Sequence, residues 1–316
     1  MKVASRAPGF NWPATLFDQE DRPGAPVPDK FTSSEVEAWY TGDSPSGLTP
    51  PGQELVKEVA HEVVQGKPDH GLGDPVLILT GGVPGSGKST VMAHLKATHP
   101  DLVVIDPDHV KERVVEDLAK ANPELVAAMR SNPDWGSVVH ETSKVMARNL
   151  LGEVLKSGHD VVLDSSMGVS DPDRFRDYVK EACRHGYDVH AIVLYKVDPE
   201  VAQRRNSRRG DAGTEIAMRN GETLALPGRR VPDDLIHLTH DLLHQNVEAY
   251  VNEGLFRRIT LLDNNTDGQP AHVLADYEQT AGHGTWTSRP YQKAWGEQLP
   301  LLADMPPSPA IIPGLD

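Results

Sequence analysis

Cysteine is nearly absent from the 316-residue sequence, which contains only Cys183. An internal disulfide is therefore excluded, and a reducing compartment is the expectation. The sequence also lacks any apolar run approaching the roughly 18 residues that a membrane span requires, and its first residues lack the apolar stretch of a secretory signal. We therefore expect no membrane association and a cytoplasmic location.

Positive charge is also in deficit. Lysine and arginine number 31 against 46 acidic residues, which gives a formal net charge of −15. Binding to nucleic acid depends on clustered cations that displace counterions, so this balance disfavours a nucleic-acid partner. Apolar residues make up 38% of the chain, which is enough for a buried core and argues against a wholly disordered chain.

Composition divides the chain into three parts. Residues 1–74 indicate an N-terminal arm with short helices at about 33–40 and 52–65. The main domain is predicted to cover residues 75–280. Residues 281–316 are predicted to form a proline-rich C-terminal tail.

Five short and uniformly apolar runs occur in the main domain, at residues 76–79, 102–105, 161–163, 189–194 and 259–262. Each is too short for a buried helix and too apolar for a half-exposed strand, so buried parallel strands fit best. Helical segments fill the gaps, at about 88–97, 109–120, 137–157, 173–185, 199–209 and 233–253. This alternation predicts an α/β fold, a three-layer sandwich around a five-stranded, mainly parallel sheet.

A glycine-rich loop follows the first predicted strand: Gly82-Val83-Pro84-Gly85-Ser86-Gly87-Lys88-Ser89. It satisfies G-x-x-x-x-G-K-[ST] between a strand and a helix, which is the context that the P-loop motif requires. Backbone N–H groups of such a loop converge on phosphate oxygens at the positive end of the following helix. We therefore expect Gly82 to Thr90 to bind ATP, Lys88 to reach the β- and γ-phosphates, and Ser89 to ligate Mg²⁺.

Acidic residues end the second and third predicted strands. Asp106 and Asp108 follow the second strand, and Asp164 closes the third. Ligands of open α/β sheets lie beyond the carboxyl ends of the strands, so these side chains are expected near the transferred phosphate. Asp108 is a candidate general base, although either aspartate could instead cap the following helix. Asp164 fits a Walker-B position that holds Mg²⁺ directly or through water.

Arginines cluster after the fourth predicted strand. Four of them lie within six residues and two more follow a glycine-rich stretch, namely Arg204, Arg205, Arg208, Arg209, Arg229 and Arg230. Guanidinium groups stabilise the charge that spreads over a transferring phosphoryl group. A flexible segment flanked by arginines is typical of a lid that closes over ATP. A solvated helix face is the alternative interpretation.

Taken in order, these stretches resemble the zeta-toxin family of P-loop kinases. Besides the P-loop, the resemblance is carried by Val104-Ile105-Asp106-Pro107-Asp108, His140-Glu141, the segment from Gly158 to Ser166, and Gly254-Leu255-Phe256. It implies ATP-dependent phosphorylation of a hydroxyl group on a small molecule. Family members phosphorylate UDP-N-acetylglucosamine, and the resemblance also admits an antitoxin-like regulator as partner.

The resemblance also implies catalytic roles for individual residues. Lys88 matches the lysine that binds ATP, and Asp108 matches the aspartate that activates the acceptor hydroxyl. Asp164 matches the acid at the third strand end, although the family often has glutamate there. Arg208 and Arg229 are the best counterparts of two lid arginines that grip phosphates.

A second set of residues is expected to contact the acceptor. The resemblance implies this role for Glu141, in the helix after the second strand, and for Ser166, just beyond the third strand. Ser165 could donate a hydrogen bond to substrate or phosphate, and Asp106 lies two residues before the proposed base. These four residues form the predicted substrate-binding group.

Three functions remain open on the sequence alone. The leading hypothesis is a Mg²⁺-ATP kinase of a small, nucleotide-linked hydroxyl acceptor, which would make it an enzyme. A polynucleotide 5′-hydroxyl kinase uses similar parts but needs a positive channel for the strand. A nucleotide-dependent binding module is the third, but carboxylates beside a complete P-loop favour chemistry.

Overall fold

The computed structural model describes residues 36, 40–42, 44, 46–68, 74–121, 123–130, 135–228, 231–267, 271–279 and 286–289. The expectations for the arm at residues 1–35, for Arg229 and Arg230, and for the tail beyond residue 289 fall outside these ranges. Within them, no helix combines the length and the apolar character needed to cross a membrane.

The strands alternate with helices along much of the chain. The strands assigned in the described residues are β1 (Val76–Gly81), β2 (Val103–Ile105), β3 (Val161–Leu163), β4 (Asp188–Lys196), β5 (Thr214–Ala217), β6 (Thr223–Leu226), β7 (Arg258–Asp263), β8 (His272–Gln279) and β9 (Trp286–Arg289). Seven of them form one sheet in the order β2-β3-β1-β4-β7-β8-β9, and β5 pairs with β6 in a separate hairpin.

The described helices lie close to the predicted segments. They are α1 (Pro50–Val64), α2 (Lys88–Thr98), α3 (Pro107–Ala121), α4 (Pro123–Arg130), α5 (Trp135–Val138), α6 (His140–Leu155), α7 (Asp173–Arg184), α8 (Pro199–Asp211) and α9 (Asp233–Glu253). The predicted segment 137–157 proves to be α6 preceded by the short α5. α4 was not predicted; it begins at Pro123, and a proline is accepted in the first turn of a new helix.

The five apolar runs form the parallel part of the sheet, which confirms the α/β class. β1 lies at the centre and all six of its residues are buried. Leu163 of β3 pairs with Leu79 of β1 on one side and with Ile105 of β2 on the other. Because the three strands are parallel and in this register, the residues that follow them meet at one edge of the sheet.

Two antiparallel strands extend the sheet beyond the five that were predicted. β8 pairs with β7, and β9 pairs with β8. The ion pair between Arg258 and Asp276 joins β7 to β8, with both side chains 2% exposed and a 2.6 Å distance from Nη2 to Oδ2. β8 has mixed polar and apolar residues, as half-exposed antiparallel strands do. It therefore lacks the uniformly apolar run from which the five parallel strands were predicted. β9 lies within residues 281–316, the segment predicted to be the tail, and it pairs with β8.

The glycine-rich stretch that was expected to be a mobile lid is instead a β-hairpin, formed by β5 and β6. Its apolar side chains Ile216, Leu224 and Leu226 are buried. Trp135 of α5 donates from Nε1 to the carbonyl of Pro227, 2.9 Å away. The hairpin follows directly on the arginine-bearing helix α8, so its anchoring also restrains the end of that helix.

A buried carboxylate attaches the hairpin to the helices beneath it. Glu116 of α3 has no exposed side-chain surface, and it accepts hydrogen bonds from the Arg219 backbone N–H at 2.9 Å and from Arg219 Nε at 3.1 Å. Arg113 donates from Nη1 to its other oxygen at 2.6 Å. Arg219 also reaches Glu58 of α1 at 2.8 Å. The hairpin turn, α3 and α1 thus share one ionic network.

We expect Glu116→Gln to lower the free energy of unfolding at pH 7 by about 3 kcal/mol, because breaking a buried ion pair leaves uncompensated charge. Burial raises the pKa of Glu116, but the hydrogen bonds from Arg219 and Arg113 outweigh this and lower it from 4.5 to about 2. The contribution of Glu116 is therefore complete above about pH 4.5 and is lost as the pH falls toward 2.

Urea unfolding of wild type and variant at pH 7 and at pH 3 measures this effect. The difference between the two proteins should shrink at the lower pH. Glu112→Gln is a matched control on the same helix. The Glu112 side chain is 37% exposed, and its Oε2 lies 3.8 Å from Nδ1 of His109. Equal stabilities of wild type and Glu116→Gln at pH 7 would refute the network.

Candidate active site

The P-loop leaves the buried strand β1 and enters α2 at Lys88, as the motif requires. Gly85 and Gly87 have φ angles of +80° and +99°, which L side chains rarely adopt. A Cβ on Gly85 would lie 2.2 Å from the carbonyl oxygen of Ala202, and one on Gly87 would lie 2.3 Å from Nδ2 of Asn264. Close packing against two other segments thus adds a second reason for glycine at both positions.

Lys88 lies at the start of α2 and turns its side chain back onto the loop. Its Nζ donates to the carbonyl oxygens of Gly82 at 2.8 Å and of Val83 at 3.2 Å. Burial lowers the pKa of Lys88, and the negative charge of Asp164 opposes this. Ser89 and Thr90 are exposed in the same first turn. The first turn of α2 thus brings together the ammonium group of Lys88, the hydroxyl groups of Ser89 and Thr90, and the N–H groups that have no partner within the helix.

Asp164 lies at the same edge of the sheet as the P-loop. Its Oδ1 accepts a hydrogen bond from Thr80 Oγ1 at 2.9 Å, and its N–H donates to the carbonyl of Ile105, also at 2.9 Å. β1, β2 and β3 therefore all fix the position of this carboxylate. Hydroxyl and carboxylate oxygens are the ligands that Mg²⁺ prefers, so Ser89 and Asp164 suit the ion that the P-loop motif implies.

The two aspartates after β2 have different surroundings. Asp106 accepts a hydrogen bond from the N–H of Asp108, 2.8 Å from its Oδ1, and so caps the first turn of α3. Burial raises the pKa of Asp106, and the nearby carboxylates of Asp108 and Asp164 raise it further. Asp106 thus caps the helix whose first turn contains Asp108.

Two cations hold the carboxylate of Asp108. Lys111, one turn later on α3, donates from Nζ to Oδ1 at 3.1 Å. Arg209 of α8 donates from Nη2 to Oδ2 at 3.0 Å. The Lys111 side chain is only 12% exposed, so it has little freedom to leave. The candidate base is therefore oriented by its own helix and contacted by the arginine-rich one.

Glu141 lies in the first turn of α6, which packs against α3. Lys144 donates to both of its oxygens, at 2.9 and 3.0 Å. Burial raises the pKa of Glu141, but the hydrogen bond and the charge of Lys144 outweigh it and leave the pKa below its ordinary value. Glu141 is thus a half-exposed carboxylate that stays ionised beside α3.

The loop after β3 is bonded to the beginning of the P-loop. The Ser165 hydroxyl donates to the carbonyl of Thr80, and the N–H of Gly82 donates to the carbonyl of Ser166 at 2.9 Å. The hydroxyl proton of Ser165 is therefore used within the protein, and the predicted contact of Ser165 with substrate stays a prediction. The carbonyl of Ser166 joins its loop to the phosphate-binding loop.

The same loop contains a strained residue that α9 holds in place. Met167 is buried and has a φ of +55°, in the left-handed region. Asn246 of α9 donates from Nδ2 to the carbonyls of Met167 and Val169, both at 2.8 Å. This support was not predicted from the sequence; Asn246 is buried in the structure, and buried polar groups are generally hydrogen-bonded.

The arginines of α8 contact different parts of the site. Arg205 and Arg208 bind the two carboxylate oxygens of Asp267, at 2.6 and 3.3 Å, whereas Arg209 binds Asp108. Sequence reasoning selected Arg208 over Arg209. Arg209 lies three residues after Asn206 and therefore on the same helix face, but the burial of Asn206 is seen only in the structure.

The chain resembles known proteins in sequence and in fold. The family model described as Zeta toxin matches residues 61–269, which is more than half of the chain. No curated protein matches the sequence at a significant level. The family match spans the P-loop, Asp108, Glu141, Asp164 and the arginines of α8.

Two solved structures have a similar fold. One is from the PezAT chromosomal toxin–antitoxin system of Streptococcus pneumoniae, at 14% identity and a TM-score of 0.50, covering 69% of this chain and 79% of that one. The other is from AvrRxo1-ORF1:AvrRxo1-ORF2 with sulphate ions, at 15% identity and a TM-score of 0.52, covering 82% of this chain and 79% of that one. The family match, which covers more than half of the chain, shows that the chain belongs to the Zeta toxin family.

Proposed function

We propose that the protein is an ATP-dependent kinase that phosphorylates a hydroxyl group of a small, nucleotide-linked acceptor. The observation that carries the proposal is the carboxylate of Asp108, which lies beside the P-loop edge of the sheet and is held by Lys111 and Arg209. A carboxylate in this place accepts the proton of the attacking hydroxyl. Membership of the Zeta toxin family supports the same chemistry.

The donor side of the reaction follows from the P-loop. Its N–H groups and Lys88 would bind the phosphates of ATP, and Lys88 would exchange the carbonyls of Gly82 and Val83 for phosphate oxygens. Ser89 and Asp164 would hold Mg²⁺, which neutralises phosphate charge when bound. The described residues contain no group of three His, Cys, Asp or Glu side chains that could hold a metal, so the phosphates would complete the ligand set.

The acceptor side is rich in cations. Lys111 and Arg209 contact Asp108. Lys144 contacts Glu141, and the positive charge of Arg174 also lowers the pKa of Glu141. These cations would bind an acceptor that carries phosphate groups of its own. UDP-N-acetylglucosamine, the acceptor that the family resemblance implies, has this chemistry and is the first candidate.

The polynucleotide alternative is disfavoured by the charge balance of the chain. A single-stranded channel needs a positive groove that follows the backbone over several nucleotides. The chain instead has a formal net charge of −15.

An antitoxin-like regulator is the proposed protein partner. The PezAT structure comes from a toxin–antitoxin system, and the other structure contains AvrRxo1-ORF1 together with AvrRxo1-ORF2. Co-expression of the chain with the product of an adjacent gene, followed by gel filtration, tests this proposal. Two separate peaks at micromolar concentration would contradict it.

The kinase proposal is tested by offering defined acceptors to the protein with Mg²⁺ and ATP labelled in the γ-phosphate. The acceptors are UDP-N-acetylglucosamine, free N-acetylglucosamine, UDP and a single-stranded oligonucleotide with a 5′-hydroxyl group. We expect label on the sugar nucleotide and none on the oligonucleotide. Label on the oligonucleotide alone would favour the polynucleotide kinase, and ATP hydrolysis without a labelled acceptor would favour the binding module.

A paired substitution then decides which arginine assists the transfer. We expect Arg209→Met to lower kcat by about 100-fold or more, because it removes the guanidinium beside Asp108. Arg208→Met is the matched control from the neighbouring position, and a loss of less than about tenfold is expected there. Steady-state kinetics of both variants provide the measurement. A larger loss for Arg208→Met would restore the sequence-based assignment.

A further inference from the structure

The loop after β7 contacts the P-loop at Ser86. Asn264, the first residue after β7, donates from Nδ2 to the carbonyl oxygen of Ser86 at 2.7 Å. Its own N–H donates to the carbonyl of Lys196 at the end of β4, at 3.1 Å. The side chain of Asn264 is therefore presented to the P-loop from a backbone that the sheet fixes.

This hydrogen bond determines the orientation of one peptide unit of the P-loop. The C=O and N–H groups of a planar trans peptide point in opposite directions. Because the Ser86 carbonyl points at Asn264, the N–H of Gly87 in the same peptide points away from Asn264. In a P-loop the N–H groups serve as the phosphate ligands, so this orientation is the one that presents the Gly87 N–H to phosphate.

Close packing leaves the peptide little room to rotate. Nδ2 of Asn264 would lie 2.3 Å from a Cβ on Gly87. On the other side of Ser86, its buried hydroxyl oxygen would lie 2.5 Å from a Cβ on Gly82. Both glycines of the motif are thus also required by what packs on Ser86.

Arg205 joins this contact to α8. It donates from Nη1 to the carbonyl of Asn264 at 2.9 Å and lies 3.5 Å from that of Ser86. Its Nε donates to Asp267 Oδ1 at 2.6 Å. The Arg205 side chain is only 17% exposed, so α8, the loop after β7 and the P-loop are held as one unit.

We propose that Asn264 is a positioning residue of the nucleotide site, which presets the Gly87 N–H toward the β-phosphate of the bound nucleotide, with Arg205 holding Asn264 in place. The proposal rests on the nucleotide binding proposed above and adds a residue that lies outside the P-loop motif. A purely structural asparagine would stabilise the fold without distinguishing between nucleotides. The role proposed here affects only ligands that have a β-phosphate.

Equilibrium dissociation constants of ATP, ADP and AMP for Asn264→Ala and wild type provide the test, with Mg²⁺ present throughout. Loss of the hydrogen bond that orients the Gly87 N–H should weaken the binding of ATP and of ADP by about tenfold. The affinity for AMP, which has no β-phosphate, should not change. Asn265→Ala is the matched control, because the Asn265 side chain accepts from the N–H of Asp198 rather than from the P-loop, and it should bind all three nucleotides as wild type does.

Several outcomes would overturn the proposal. Unchanged affinity for ATP and ADP, an equal loss for all three nucleotides, or an equal loss in Asn265→Ala would each do so. Should Asn264→Ala fail to fold, Asn264→Ser retains a small polar side chain without the amide and is expected to give the same pattern. A wild-type protein that binds none of the nucleotides would overturn the proposed function as well, whereas normal wild-type binding with an unaffected variant removes this inference alone.

Discussion

Asp108→Asn is expected to lower kcat by about 1,000-fold or more while leaving the dissociation constant of ATP within about twofold of wild type. The amide has the shape of the carboxylate, but it cannot accept the proton that leaves the acceptor hydroxyl. General-base catalysis contributes about 10²–10⁴-fold, and the charge that orients Lys111 and Arg209 is lost in addition. Asp108 lies outside the P-loop, so binding of ATP should persist.

Asp106→Asn is the matched control for this substitution. Asp106 caps α3 through its hydrogen bond to the N–H of Asp108, and asparagine caps helices about as well as aspartate. Its kcat should therefore stay within about tenfold of wild type. Rates and nucleotide affinities of the two variants, measured in parallel, decide the assignment. A greater loss in Asp106→Asn would exchange the roles of the two aspartates.

Lys88→Ala is expected to abolish measurable phosphoryl transfer and to weaken the binding of ATP by about 100-fold or more. The ammonium group would form charge-assisted hydrogen bonds to the β- and γ-phosphates, each worth about 1.5–3 kcal/mol. The phosphate contacts of the backbone N–H groups cannot replace a positive charge at the point where charge develops in the transition state. Titration with ATP and single-turnover kinetics measure the two effects separately.

A control from the same helix guards against a general effect on α2. Lys96→Ala removes an exposed lysine from the last turn of α2, and it should leave both ATP affinity and turnover unchanged. The melting temperature of Lys88→Ala should stay close to that of wild type or rise, because burial of the ammonium group disfavours its charge, as the lowered pKa indicates. Phosphoryl transfer by Lys88→Ala at the wild-type rate would contradict the role proposed for the P-loop.

The parallel part of the fold could be predicted because its signals are local. Uniformly apolar runs identify buried strands, and the P-loop motif fixes the connection between β1 and α2. From these two features it follows that Asp106, Asp108 and Asp164 meet at one edge of the sheet, since the carboxyl ends of neighbouring parallel strands lie together.

The missed features depend on contacts between distant segments. β8 and β9 pair antiparallel at the edge of the sheet, and the hairpin of β5 and β6 is held by Glu116, about 100 residues before it. The contact of Arg209 with Asp108 likewise joins residues 101 positions apart. No short pattern distinguishes Arg209 from Arg208, because the choice depends on how α8 packs. The acceptor identity is subject to the same limit, since it depends on side chains from several elements.

The most direct test of the proposed kinase is transfer of labelled γ-phosphate from ATP into a total pool of small metabolites. Wild type, Lys88→Ala and Asp108→Asn are incubated in parallel with Mg²⁺, and the products are separated and identified by mass. We predict one dominant product in which a hydroxyl group of a nucleotide-linked metabolite carries the label, formed by the wild type alone. Label that is released only as free phosphate, or that enters the same product with Asp108→Asn at the wild-type rate, would contradict the account.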